Sequence, residues 1–223
     1  MNEIMQEEMY KEMAAQLRKP VGEYALMVGE KMNEGNLLIN QYTIELLRPT
    51  KGDSILEIGM GNGYFVKDIL KIDPSITYAG CDHSDLMVKE ANKINAVYVN
   101  SERASFHLSE ADAIPFANAA FNKIFTVNTI YFWDDMHIIL AEIRRVLKPN
   151  GLLFISLRPK QSMEAYPFAK YGFNMFTEED LFTTLTDNSF KVRSASQQDE
   201  PEQEINGLKI KVESLIICAE KSN

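Results

Sequence analysis

Apolar residues along this chain follow two rhythms, and the change between them falls near residue 50. Before it, Ile4, Met5, Met9, Met13 and Leu17 recur at three- and four-residue intervals, which predicts an amphipathic helix over 1–17. Lys19-Pro20 and Gly22 end it. A second helical stretch is expected over 25–32, a turn at Asn33-Glu34-Gly35-Asn36, and a third helix over 37–47 that stops before Pro49. From Lys51 onward, short apolar runs alternate with helical spacing. Strands are predicted over 54–58, 76–81, 105–108, 123–127 and 151–157, with helices over 64–70, 86–94 and 137–148. Alternation of this kind builds a parallel sheet covered by helices on both faces. In the tail, Thr177 with Asp180 three residues on predicts a capped helix start. Two further strands, 190–196 and 210–218, flank the polar run Gln197 to Glu202, where no helix fits. An antiparallel hairpin at the end of the sheet is therefore expected.

The glycines change this picture from a generic sheet to a ligand site. Strand residues Ile55 to Ile58 run into Gly59-Met60-Gly61-Asn62-Gly63, and a helix follows. Glycines at the carboxyl end of a parallel strand admit left-handed backbone and let a ligand approach the chain closely. The dinucleotide fingerprint G-x-G-x-x-G fails here, because its third glycine position is Tyr64. No G-x-x-x-x-G-K-[ST] stretch is present either.

What stands instead is E-x-G-x-G-x-G, which resembles the first motif of the class I S-adenosylmethionine-dependent methyltransferases. Further matches follow in the family's order. Asp82 matches the acidic residue that accepts hydrogen bonds from both ribose hydroxyls, and His83 the residue set against the adenine. Asp112 and Ala113, in Ser109 to Phe116, match the pair that meets the adenine amino group and ring. Asn122 replaces a usual Asp before the fourth strand, and Asn150 a frequent Gly before the fifth. Arg18-Lys19-Pro20 with Met32-Asn33 resembles the lead-in of bacterial members. The resemblance implies a Rossmann-like, doubly wound sheet of seven strands, mostly parallel, with a helical N-terminal extension over 1–48 that is a possible lid and a cofactor-binding domain over 49–223. It also implies S-adenosylmethionine as cofactor, held by Glu57, Gly59, Gly61, Asn62, Gly63, Asp82, His83, Asp112, Ala113 and Asn128.

Charge and composition narrow the acceptor. The net charge of −9 and the lack of a dense Lys/Arg patch disfavour a nucleic-acid partner. The end of the fourth strand reads Asn128-Thr129-Ile130-Tyr131-Phe132-Trp133-Asp134-Asp135, without the Pro-Pro that similar enzymes use on exocyclic amines. Its aromatics, with Tyr166, Phe168, Tyr171, Phe173 and Phe176, suggest walls for a small apolar or aromatic acceptor. Met5, Met9, Met13, Met27 and Met32 are candidates for a flexible cover. Tyr131, Asp134 and His137 are the catalytic candidates, with Asp134 or its neighbour Asp135 as the candidate base, and no base is required, because the methyl group arrives activated on a sulfonium. His107 and the two cysteines, Cys81 and Cys218, read as structural; no metal-ligand spacing is present. Free thiols in apolar strands suit a cytoplasmic protein, as does the lack of a signal peptide or of any apolar run of about 18 residues. The rival readings are a cofactor-binding module without transferase activity and a nicotinamide oxidoreductase on a similar sheet.

Overall fold

A computed structural model describes residues 3–205 and 208–222; Met1 and Asn2, which begin the first expected helix, lie outside them. The chain opens with three helices: α1 (Glu3–Arg18), α2 (Ala25–Gly35) and α3 (Leu37–Leu47). Then β1 (Ser54–Ile58), α4 (Val66–Leu70), β2 (Thr77–Asp82), α5 (Asp85–Ile94), α6 (Ala96–Asn100), β3 (Ala104–Leu108) and β4 (Phe121–Val127) follow. After a single 3-10 turn at Ile130–Phe132 come α7 (Met136–Val146), β5 (Leu147–Leu157), α8 (Lys160–Met163), α9 (Glu178–Asp187), β6 (Phe190–Ile205) and β7 (Leu208–Lys221).

The seven strands form one sheet in the order β3-β2-β1-β4-β5-β7-β6. All neighbours from β3 to β5 are parallel, and β7 pairs antiparallel with both β5 and β6. The sheet is therefore doubly wound, mostly parallel, and closed by an antiparallel hairpin, as the alternation of elements predicts. Strand order reverses between β1 and β4, and the carboxyl ends of those strands splay open a crevice there.

Period-two alternation splits the core between the two faces. Leu56, Ile58, Ile124, Leu153 and Ile155 meet α7 and α9 through Ile139, Leu140, Ile143, Leu181 and Leu185. Ile55, Phe125 and Phe154 point the other way, onto Ile39 and Leu47 of α3 and Val66, Ile69 and Leu70 of α4. Each such fully buried aliphatic or aromatic side chain contributes about 1.5–3 kcal/mol. Part of the extension expected as a lid is thus sheet cover: α3 is packed into the core, and its buried Thr43 hydroxyl is hydrogen-bonded to Ser156 Oγ at 2.7 Å. Only α1 and α2 stand outside that layer.

Local signals act where they were read. Thr177 and Asp180 complete a reciprocal capping box on α9, and Asn150 adopts left-handed φ of 60° in the turn inside β5. Asn122 Oδ1 accepts from Ser54 N (3.0 Å) and Lys148 Nζ (2.9 Å), so it joins β1 to β5 across β4. One expectation needs correcting. The polar run Gln197 to Glu202 is strand, not loop: β6 and β7 pair out to Ile205 and Leu208. Strand pairing satisfies the backbone there, while a register shift between Glu200 and Gln203 accommodates Pro201, which has no N–H to donate.

Candidate functional site

The crevice at the β1/β4 switch holds a cavity of about 550 Å³. Its floor is the glycine turn. Gly59 N donates to Cys81 O at 2.7 Å, which bends the chain at the end of β1 against β2. Gly59 has φ of 77°, and a Cβ there would overlap Thr129 beyond β4. Glycine is the one residue that lets β1 and the β4 loop close on each other. Gly61 N donates to Asp82 Oδ2 at 2.9 Å, and Ser84 N to Asp82 Oδ1 at 2.8 Å. Each carboxylate oxygen thus keeps lone-pair capacity facing the cavity. Ser84, not Asp82, caps α5, which frees Asp82 from that duty.

Glu57, Gly59, Gly61, Asn62, Asp82, His83, Asp112 and Asn128 all line this cavity. Gly63 and Ala113 do not. Gly63 instead packs under α5: a Cβ on it would come within 2.9 Å of Asn95 Nδ2 and 3.1 Å of Ala91 Cβ. Ala113 N donates to Glu110 O at 3.3 Å and closes a turn. The N-terminal segment supplies lining that motifs did not assign: Leu17, Arg18, Lys19 and Pro20 from the end of α1, Met32 and Asn33 from α2, and Asn36 at the joint with α3.

A family model for a methyltransferase domain matches residues 56–155. An uncharacterised methyltransferase of Bacillus subtilis, YdaC, is 31% identical over 137 residues, 61% of this chain and 74% of that one. The chain belongs to the class I S-adenosylmethionine-dependent methyltransferases. The ubiquinone/menaquinone biosynthesis C-methyltransferase of Paracoccus denitrificans is 25% identical over 167 residues, 72% of this chain and 65% of that one. The protein held in complex with the Trm112 methyltransferase activator of Haloferax volcanii superposes with a TM-score of 0.74 at 16% identity, over 96% of this chain and 98% of that one, which shows a common fold. This methyltransferase is an enzyme, and S-adenosylmethionine is its cofactor.

The cavity suits that cofactor electrostatically. Two acids, Glu57 and Asp82, line it, and carboxylates complement a ligand that carries a cation and hydroxyl donors. Burial pushes the Glu57 carboxyl up to about 7, a hydrogen bond from Tyr78 (2.5 Å) opposes this, and the nearby Asp82 adds to it. Burial also raises Asp82, against the two backbone N–H groups that favour its charged form. His83 bridges two rims: Nδ1 lies 3.4 Å from Glu110 Oε2 and Nε2 2.7 Å from Arg18 O. Arg18 pairs with Asp134 at 3.1 Å, and Ser84 Oγ donates to Pro20 O at 3.1 Å. The end of α1 is thereby fastened across the cavity mouth.

A second cavity of about 670 Å³ adjoins the first, and both are lined by Leu17, Met32, Asn36, Asn128 and Phe132. Met9, Met13 and Met27 roof it, and Met163, Tyr166, Phe168 and Phe173 wall it; Met5, Tyr171 and Phe176 do not reach it. Phe173 sits 4.6 Å from Phe132, centroid to centroid, and 5.6 Å from Tyr131. The three catalytic candidates fare differently. Tyr131 is buried, its hydroxyl 2.9 Å from Asn128 Oδ1 and 3.1 Å from Arg158 O, while Arg158 N donates to it at 2.6 Å. Burial raises it well above the usual phenol range, so it acts as a clamp. Asp134 is tied to Arg18 at the rim. His137 lines neither cavity and is bonded through Nδ1 to Asn188 Oδ1 at 2.5 Å. His107 packs edge-on against Phe116, away from both cavities.

Proposed function

We propose that this methyltransferase transfers a methyl group to a small apolar or aromatic molecule seated in the second cavity, beneath a lid formed by α1 and α2. The observation that carries the reading is the shared wall: Leu17, Met32, Asn36, Asn128 and Phe132 border both spaces, so a molecule in one abuts a molecule in the other. The methyl donor carries its own activation, so what the chain has to supply is alignment and exclusion of water. Asp82 receives the ribose hydroxyls, His83 and Asp112 flank the adenine, and Glu57 faces the positive end of the cofactor. Asn128, held by Tyr131 and Asn36, keeps the wall between the two spaces in place. No helix among the described residues is long and apolar enough to cross a membrane. The two free thiols, Cys81 and Cys218, support a reducing, cytoplasmic setting.

Titration calorimetry with S-adenosylmethionine on the wild type and Asp82→Ala tests the cofactor half. The loss of charge-assisted hydrogen bonds is expected to cost at least about 1.5 kcal/mol, roughly tenfold in affinity. Unchanged affinity would remove Asp82 from the ribose. Release of S-adenosylhomocysteine against small apolar and aromatic acceptors tests the other half; tight cofactor binding with no turnover on any of them would make the domain a binding module.

A further inference from the structure

The boundary between the two cavities carries no proton acceptor suited to catalysis. Its five residues are Leu17, Met32, Asn36, Asn128 and Phe132, three apolar side chains and two carboxamides. The ionisable groups that line the acceptor cavity are either at its rim or already engaged. Lys31 is exposed and paired with Glu34 at 2.7 Å, and Glu12 is exposed. Arg158 is buried against Glu200 at 3.0 Å and donates to Gly35 O at 2.8 Å. Tyr131 and Tyr166 are held by protein partners, with burial raising both phenols.

An acceptor that arrives protonated meets no ionisable group at the boundary itself to deprotonate it. Phenols lose their proton near pH 10, thiols near about 8.5 and alkylammonium groups near about 10.4, whereas carboxylic acids are ionised above roughly pH 4. A carboxylate therefore reaches the boundary as a ready nucleophile. Asn36 offers it a donor: its Oδ1 accepts from Asn128 Nδ2 at 2.9 Å, and its own NH₂ is bonded to no acceptor among the described residues. We propose that the acceptor is an apolar carboxylic acid, methylated on its carboxylate to give the methyl ester, with Asn36 holding the oxygen that does not react.

This rests on the acceptor reading given above. The carboxylate oxygen attacks the methyl carbon in line, a C–O bond forms, and the C–S bond breaks. Its electron pair stays on sulfur, and no proton moves. The charges of carboxylate and sulfonium cancel, which favours the step inside an apolar cavity.

The test uses matched acids, alcohols or phenols, and amines on two skeletons: octanoate, octanol and octylamine, and para-butylbenzoate, para-butylphenol and para-butylaniline. Turnover is read as methylated product by mass spectrometry at saturating S-adenosylmethionine, and binding by calorimetry on the S-adenosylhomocysteine complex. The acids are expected to bind and to form methyl esters at least tenfold faster than the other members. Asn36→Asp is expected to abolish acid binding by placing like charges together, with Asn36→Ser retaining part of it. Preferential methylation of the phenol, the alcohol or either amine would overturn the inference and leave the acceptor cavity standing. Failure of every member to bind or react, with S-adenosylhomocysteine bound, would overturn both. Equal acid binding by wild type and Asn36→Asp would remove Asn36 from the site.

Discussion

Single residues in this protein are set by the charge they meet and the space left to them. Glu57 shows the first. Its carboxyl is raised to about 7 chiefly by burial, with Tyr78 and Asp82 as its polar neighbours. A carboxyl raised in the folded state confers stability that is full below its ordinary value of 4.5 and lost as pH rises through about 7. The cofactor brings positive charge and favours the ionised form, so its binding near neutral pH expels a proton. The ratio of wild-type to Glu57→Gln affinity is expected to rise about tenfold between pH 6 and pH 8, the span of one such titration. Calorimetry in buffers of different ionisation heat checks this directly; a ratio that stays flat would mean Glu57 does not face the bound cation. Gly63 shows the second. It fits the family's motif as well as Gly59 does, yet its lack of a side chain serves α5 and Asn95 and not the cavity.

Elements differ in how they are held. α3 is welded to the sheet by Ile39, Leu47 and the Thr43–Ser156 bond, whereas α1 reaches the far rim through Arg18–Asp134, between exposed side chains. An exposed pair contributes about 0–1 kcal/mol. Breaking it is expected to leave the melting temperature almost unchanged but to free the end of α1 from the rim; if α1 covers the cofactor as proposed, cofactor dissociates about two- to fivefold faster in Asp134→Ala. Stopped-flow chase measures the rate, and Arg18→Glu with Asp134→Arg should restore it; an unchanged rate in Asp134→Ala would show that the mouth is not gated there. This contrast also explains what the sequence discloses. The runs that became β1, β2 and β4, the turn at Gly59 and the box at Thr177 are local patterns, readable within a few residues. The second cavity is not, because α1, α2, the β4 loop, the segment from α8 onward and β6 meet there from distant parts of the chain. The polar strand over 197–204 is hidden for a related reason: its pairing partner, not its own composition, makes it a strand.

At the scale of the whole molecule, one buried ion pair joins the parts. Arg158, directly after β5, binds Glu200 of β6 at 3.0 Å and Gly35 O at the end of α2 at 2.8 Å, and Glu200 is further held by the Ser214 hydroxyl on β7. The sheet, the hairpin and the helical cover thus meet on two side chains 42 residues apart in sequence, both almost fully buried, with Arg158 on the wall of the second cavity. Replacing one partner leaves the other charged and unpaired in a dry site. Arg158→Ala is therefore expected to lose about 3–5 kcal/mol in urea denaturation, far more than any surface substitution. Removing both charges in Arg158→Met with Glu200→Met abolishes that penalty and is expected to recover most of the stability. The bond to Gly35 O does not return in the double variant, so its cofactor should dissociate faster than from the wild type even though the fold is restored. A double variant as unstable as Arg158→Ala would show that the pair itself, and not the avoidance of a lone buried charge, holds the three parts together.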